Sequence, residues 1–258
     1  MMLTLAPNID LVFTEAGAPE DRVRAAADAG FDAVEMWMHT DKDLDALERA
    51  TRETGVRIVA QLVEPRPQFL ADADDTHAAF FEGLDRCLAV AARLDIPRLV
   101  VGGGPGVSRI KREPSTAALI EVFSRIAERV AGSDVTVVIE AVNERVDHPG
   151  SFLSHTADSA AIARAVGSPQ VGILYDLYHS VAQGEDIDRV IPEYADVIRY
   201  VQFADSPGRG EPGSGTIDWS HALGLLDAAG YDGPVGLEFY PRAESALAVR
   251  SIQEWARA

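Results

Sequence analysis

One alternation runs the whole length of this chain and constrains its fold more than any other feature. Short apolar runs recur, and each is followed by a segment with apolar residues at three- and four-residue spacing. "LTLAPN" predicts a strand, and "PEDRVRAAADAG" predicts a helix with Pro19 in its first turn and Gly30 at its stop. "FDAVEMW" and "VRIVAQLV" are the next strands, separated by the helix "DLDALERATRETG". A longer loop, "EPRPQFLADADD", leads to a helix carrying Phe80, Phe81, Leu84, Leu88 and Ala91. "PRLVVGG", "VTVVIEAVN", "VGILYD", "VIRYVQFA" and "PVGLEFY" supply strands four to eight. Between them lie helices such as "STAALIEVFSRIAERVAG" and "TADSAAIARAVG", the latter with Thr156 as expected N-cap. "IDRVIPEYA" is a shorter helix that Pro192 could kink, and "ESALAVRSIQEWARA" closes the chain as one helix. Strands apolar throughout, alternating with amphipathic helices, make a parallel sheet covered by helices. Eight such pairs in 258 residues fit a single α/β domain over 1–258, a (β/α)8 TIM barrel. A doubly wound sheet is the alternative, but "PNIDLVFTEAGAPE" after the first strand lacks the Gly-rich turn such sheets often carry there.

Charge and cysteine content remove several functional classes. Lys and Arg number 23 against 41 Asp and Glu, a formal net charge of −18. Such a chain repels nucleic acid and anionic membrane unless it keeps a dense basic patch, and the densest cluster, "RIKRE" from Arg109 to Glu113, is short. Cys87 is the only cysteine, so no disulfide and no multi-cysteine metal cage can form within the chain. It falls in a helical pattern and reads as an inert core thiol. No apolar run reaches the roughly 20 residues of a membrane span, and the first residues lack the pattern of a signal peptide. The expected setting is the reducing cytoplasm, with a small molecule as substrate and no nucleic acid or membrane as partner.

The strand ends carry the chemistry. In a barrel the active site lies at the C-terminal face, on the strand ends and the loops that follow. Strand five ends on Glu140, strand six on Asp176 and strand eight on Glu238, while Gln202 holds the matching place on strand seven. Four adjacent strands would aim four oxygen-bearing side chains at one point. Three carboxylates cannot all stay ionised together without compensation, and a divalent cation is the usual one. An all-oxygen ligand set favours a hard ion, Mg²⁺ or Mn²⁺, over zinc. The competing reading is that each acid merely caps its helix or satisfies loop amides, which four equivalent positions on consecutive strands make hard to sustain.

Other residues on that face are candidates for substrate contact. His179 follows Asp176 by three residues, on the loop above the strand. Arg209 lies in the Gly/Pro-rich "SPGRGEPGSG", a loop suited to close over a site and neutralise a developing oxyanion. Gln61 and His39, after strands three and two, could face the pocket. Glu35 stands earlier in its strand and is assigned a supporting, structural role. "VGGGPG" at Val101–Gly106 could bring backbone amides to an anion, but it is no Walker motif. His77, His148, His155 and His221 show no partner pattern.

Four segments together are similar to hydroxypyruvate isomerase: "EAVNERVDHPGSFL", "YDLYHSVAQGED", "VQFADSPGRGEPGSGTIDW" and "LLDAAGYDGPVGLEFYPR". More broadly the chain resembles the xylose-isomerase-like barrels, which include ketose 3-epimerases, and the N-terminal "APNIDLVFTE" and "AAADAGFDAVE" agree. The resemblance implies one divalent metal held by Glu140, Asp176, Gln202 and Glu238. It implies that the two Glu also form the acid/base pair, that His179 and Arg209 contact substrate, and that the chain forms a homodimer or homotetramer. The loops after strands two and three depart from that family. "MWMHTDKD" and "EPRPQFLADADD" stand where hydroxypyruvate isomerases carry an aromatic-proline segment and a Trp/Gly/Glu/Arg-rich loop. Since those loops shape the pocket, the substrate is left open.

The chemistry that follows is proton transfer next to a carbonyl through an enediolate, with one Glu taking the proton and the other, or a water, returning it. Return to the neighbouring carbon makes an isomerase, such as one converting hydroxypyruvate to tartronate semialdehyde. Return to the opposite face of the same carbon makes an epimerase, and a lyase or dehydratase shares the same centre. An abasic-site endonuclease shares the barrel but needs more His ligands and a basic surface. A ligand-binding relative without turnover is the non-enzyme alternative.

Overall fold

The computed structural model describes residues 3–70, 74–107 and 111–256. Arg109 and Ile110 of the basic cluster, and 71–73 of the loop after strand three, lie outside the described residues. The strands are β1 Leu5–Pro7, β2 Ala33–Met36, β3 Arg57–Leu62, β4 Arg98–Gly102, β5 Thr136–Glu140, β6 Val171–Asp176, β7 Ile198–Phe203 and β8 Val235–Leu237. All pairings are parallel, in the order β1-β8-β7-β6-β5-β4-β3-β2. A parallel bridge between Asn8 and Glu35, with the Ile9 N–H on the Glu35 carbonyl at 2.9 Å, joins β1 to β2 and brings the ring to near closure. The expected barrel is therefore present.

Helices connect the strands: α1 Pro19–Asp28, α2 Leu44–Thr54, α3 Asp74–Leu94, α4 Arg112–Val130 and α5 Thr156–Val166. They continue as α6 Leu177–Gln183, α7 Ile187–Tyr194, α8 Trp219–Ala228, α9 Ser245–Ala248 and α10 Arg250–Trp255. The stripe expected on α4 is the buried one: Leu119, Val122, Phe123, Ile126 and Val130 all face the sheet. Burial of each such large side chain is worth about 1.5–3 kcal/mol relative to exposure. Side chains divide into two shells. Ala6, Ala33, Val59, Ala60, Val100, Val138, Leu174 and Tyr200 fill the barrel interior, and the larger cluster lies between strands and helices. Among the described residues no helix is long and apolar enough to cross a membrane.

Three local expectations are corrected. Thr156 is the first helical residue rather than the cap, because its N–H and hydroxyl bind the Glu185 carboxylate at 2.9 and 2.7 Å. The closing helix is broken into α9 and α10 at Val249. His179 lies inside a helix: Asp176 accepts the His179 N–H at 3.0 Å and caps α6, so the turn begins directly off the strand.

A register shift matters for the site. Val34 pairs with Ile58, but Met36 pairs with Gln61, so β3 holds one residue more than β2 across that stretch. Val59 and Ala60 consequently both join the interior cluster, and Gln61 emerges on the outer side.

Candidate metal and acid–base site

The register that makes β5 to β8 parallel also brings their ends together. Gly102 pairs with Glu140, and Asp176 pairs with Gln202, which pairs with Gly236 on β8. The alternation of a strand then turns Glu140, Asp176, Gln202 and Glu238 inward above Val138, Leu174, Tyr200 and Gly236. Asp176, Gln202 and Glu238 are buried, and Glu140 retains slight access.

Unmet hydrogen bonding marks this cluster. Among the described residues other buried side-chain oxygens also lack a hydrogen-bond partner, Gln61 Oε1 on β3 among them, but here two lie on paired strand ends. Gln202 donates both contacts of its Nε2 to Glu35, at 2.9 and 3.0 Å, which leaves Oε1 buried and without a partner. Asp176 spends Oδ1 on the α6 cap, and its Oδ2 is likewise buried and unpartnered. An unpaired buried oxygen costs about 1–3 kcal/mol, more when charged. Two of them at neighbouring strand ends, beside two further carboxylates, are oxygen donors of the kind a hard divalent cation takes. The residues present therefore fit a metal.

Electrostatics agree. Burial, reinforced by the charges of Glu238 and Asp176, pushes Glu140 well above the ordinary carboxylate range. Burial raises Asp176 to about 6 against the pull of Arg209, and it raises Glu238 too. Glu35 is pushed up to about 8 by burial and by the Glu238 charge, despite its hydrogen bonds. A cation among these groups would favour the ionised form of each.

His179 lies beside the acids, with Nε2 3.8 Å from Glu140 Oε1 and 3.9 Å from Asp176 Oδ2. Potential ligand atoms of Glu140, Asp176 and His179 all fall within 4.8 Å of one another. The tautomer argues against His179 as a ligand. The Asn143 side-chain oxygen accepts the backbone N–H groups of Val146 and Asp147, both at 3.0 Å, which fixes its Nδ2 as donor. That Nδ2 reaches His179 Nδ1 at 2.7 Å, so Nδ1 accepts and the ring proton sits on Nε2. Burial and the nearby Arg209 charge lower the ring to about 3, keeping it neutral. His179 thus presents an N–H to the centre of the cluster.

Arg209 is buried and spans the same space. Its Nη2 lies 3.1 Å from Glu238 Oε1 and 4.0 Å from Asp176 Oδ2, and its guanidinium packs over the Tyr178 ring. Burial alone would lower it, but Glu238, Asp176 and Glu140 outweigh that and raise it further. It takes a left-handed backbone conformation, φ 52°, uncommon for a residue with a side chain.

Gln61 does not join the cluster. The extra residue in β3 turns it outward, and its Nε2 donates to the Cys87 carbonyl on α3 at 3.2 Å. The expectation that it faces the pocket is corrected by that bulge. His39 is also drawn away, with Nδ1 2.9 Å from Glu64 Oε1 and its ring 3.9 Å from Cys87 Sγ. Only Nε2 is left uncommitted. Sequence reasoning missed Trp37, whose Nε1–H donates to Glu238 Oε1 at 2.9 Å from 201 positions away. It also missed Asn143, and it left His148 unassigned, although that ring meets His179 edge-on at 5.4 Å. The "VN" after β5 was the one available signal, an amide three residues past a strand end.

Comparison with known proteins agrees with this geometry. The profile of a family described as xylose isomerase-like TIM barrel matches residues 23–258. A human protein provisionally named hydroxypyruvate isomerase is 34% identical, over 94% of this chain and 91% of its own. A 2-oxo-tetronate isomerase of Cupriavidus necator is 30% identical, over 94% of each. A crystal structure of an AP endonuclease, family 2, from Brucella melitensis superposes with a TM-score of 0.90 at 27% identity, covering 98% of this chain and 99% of that one. With eight parallel strands, a profile match across most of its length and relatives of this kind, the chain belongs to the xylose isomerase-like TIM barrel family.

Proposed function

We propose that this protein is a divalent-metal-dependent isomerase of a small hydroxy-carbonyl compound, working through an enediolate. The observation that carries the reading is the pair of buried, unpartnered oxygens on Asp176 and Gln202, flanked by Glu140 and Glu238. Those four residues would hold the metal, Mg²⁺ or Mn²⁺, which when bound supplies Lewis-acid polarisation of a carbonyl. The remaining work belongs to the side chains. Glu140 and Glu238 flank the Asp176 and Gln202 oxygens and are the pair assigned to take and return a carbon-bound proton, which a bound cation would keep in the ionised, accepting form. The Nε2–H of His179 and the guanidinium of Arg209 donate to oxygens on which negative charge develops. The relatives named for hydroxypyruvate and 2-oxo-tetronate support a substrate of that kind, a short 2-oxo acid with a neighbouring hydroxyl. A formal charge of −18 disfavours a DNA substrate, despite the fold shared with the Brucella protein.

The test is proton exchange. Protein loaded with Mn²⁺ is incubated in D₂O with hydroxypyruvate, a 2-oxo-tetronate and a panel of ketoses, and loss of the carbon-bound proton is followed by NMR. Metal-dependent exchange into one compound, abolished in Glu238→Gln, is the expected result, and product analysis then separates isomerase from epimerase. Bound metal with no exchange into any compound would remove the isomerase reading.

A further inference from the structure

Glu35 lies on β2 and meets Gln202 of β7 across the barrel interior, with β1 and β8 between the two strands. It is 1% exposed and inside the ring. Asn8 Nδ2 donates to its Oε1 at 3.1 Å, and the Tyr200 hydroxyl donates to its Oε2. The Gln202 Nε2 donates to both oxygens. Three side chains from β7 and the end of β1 therefore converge on one carboxylate of β2, and every contact places an acceptor on Glu35.

That arrangement matters because an amide has two different ends. Oxygen can ligate a hard cation, and the NH₂ group cannot. Left alone, the Gln202 amide has two orientations of similar shape. With an ionised Glu35, the form a cation in the site would favour, presenting lone pairs to it, only one is hydrogen-bonded: Nε2 down to Glu35, Oε1 up among Glu140, Asp176 and Glu238. The reverse would set oxygen against oxygen on one side and NH₂ against the metal on the other.

The backbone leaves room for this crossing. A Cβ on Gly236 would stand 2.7 Å from Glu35 Cδ and 2.8 Å from Gln202 Cγ. Real Cβ atoms do not approach other atoms so closely, so β8 must carry glycine for the two side chains to meet across the barrel.

We infer that Glu35 is a positioning residue that fixes the orientation of the Gln202 amide, and so makes that residue a metal ligand. The inference rests on the metal reading of the site, and the experiment separates the two. Mn²⁺ alone is titrated calorimetrically into the wild-type chain, Glu35→Gln, and the exchanged pair Glu35→Gln/Gln202→Glu, with near-UV circular dichroism and melting recorded for each. In Glu35→Gln one of the two oxygens that hold Gln202 Nε2 becomes an NH₂, since Asn8 binds Oε1 and Tyr200 binds Oε2 and one amide oxygen cannot fill both places. That NH₂ opposes Gln202 Nε2 and favours the wrong end of its amide. Loss of an outer partner of a ligand costs about 10–100-fold in metal affinity, and that loss is expected here. The exchanged pair restores the polarity: the amide now on β2 donates to the carboxylate now on β7, whose second oxygen faces the metal. Its affinity is expected to return to within a few-fold of wild type, a rescue that a merely space-filling role would not give. Wild-type affinity in a folded Glu35→Gln overturns the inference and leaves the metal site standing. No Mn²⁺ binding by the wild type overturns both. If Glu35→Gln does not fold, the exchanged pair is compared with Gln202→Glu alone: affinity in the pair about 10-fold or more above the single variant supports the inference, and equal affinity in the two overturns it.

Discussion

The two halves of the barrel mouth carry the same kinds of residue and do opposite things with them. On and after β1 to β3 stand Asn8, Asp10, Glu35, His39, Lys42 and Glu64. The carboxylates there are held by donors within the protein, although Gln61 Oε1 on β3 is buried without one. Lys42 Nζ bonds Asp10, Asp41 and the Met38 carbonyl, and Asp10 also accepts the Trp37 N–H at 2.7 Å. Glu64 accepts the N–H groups of His39 and Thr40 and the Thr40 hydroxyl. After β5 to β8, Asp176 and Gln202 keep oxygens that no protein donor reaches. An acid at a strand end is thus a poor marker of a site, because both halves have them. Two oxygens left without donors on paired strand ends are a better one.

The largest effects should break the open half. Glu140→Gln and Glu238→Gln keep shape but cannot accept a proton, and turnover should fall by about 10²–10⁴-fold in each. Steady-state rates on the compound that exchanges, beside an unchanged circular dichroism spectrum, check this; full turnover in either variant would end its assignment as acid or base.

The closed half should answer in stability. Glu64→Ala strands two backbone N–H groups, and about 1–3 kcal/mol of unfolding free energy should go. Burial would raise this carboxyl, but the Thr40 and His39 hydrogen bonds outweigh it and hold it below its ordinary value. A depressed folded value contributes stability above the unfolded value, lost as pH falls through the folded one. The deficit of Glu64→Ala should therefore be full at neutral pH and shrink in acid, as read by urea titrations across that range. A deficit that grew in acid would contradict the hydrogen-bonded carboxylate.

Trp37 joins the two halves, and its variant should fall between them. Trp37→Phe removes one hydrogen bond to Glu238, worth about 1.5 kcal/mol for a charged acceptor, or about tenfold in rate. A change confined to KM would place Trp37 in substrate binding instead. The smallest effect is expected at Cys87, deep in the closed half, where burial pushes the thiol up to about 11. A thiol reagent should label the native protein no faster than the protein unfolds; rapid labelling would show that the packing around α3 opens locally.

How much of this was legible beforehand follows the range of each interaction. The strands, the amphipathic helices and the acids ending β5, β6 and β8 are written in patterns a few residues long. Gln202 joined them because β7 alternates from Tyr200 onward, beyond the register shift that separates Ile198 from Tyr200. Gln61 was misplaced because one extra residue in β3 reverses that alternation, and nothing in "VRIVAQLV" announces a bulge. Trp37 and Asn143 act on partners 201 and 36 positions away. Both reach them through loops whose paths are set by packing. Which acids keep free oxygens depends on every donor nearby, and no local pattern encodes that.

The Asn8–Glu35 bridge is the seam between β1 and β2, yet the same Glu35 grips Gln202 from across the ring. A fragment holding only the second half of the chain would possess all four oxygen-bearing residues and still lack both Glu35 and Trp37. Ion capture would then report on association of the two half-barrels: a fragment expressed alone should be blind to Mn²⁺, and adding its missing partner should switch recognition on.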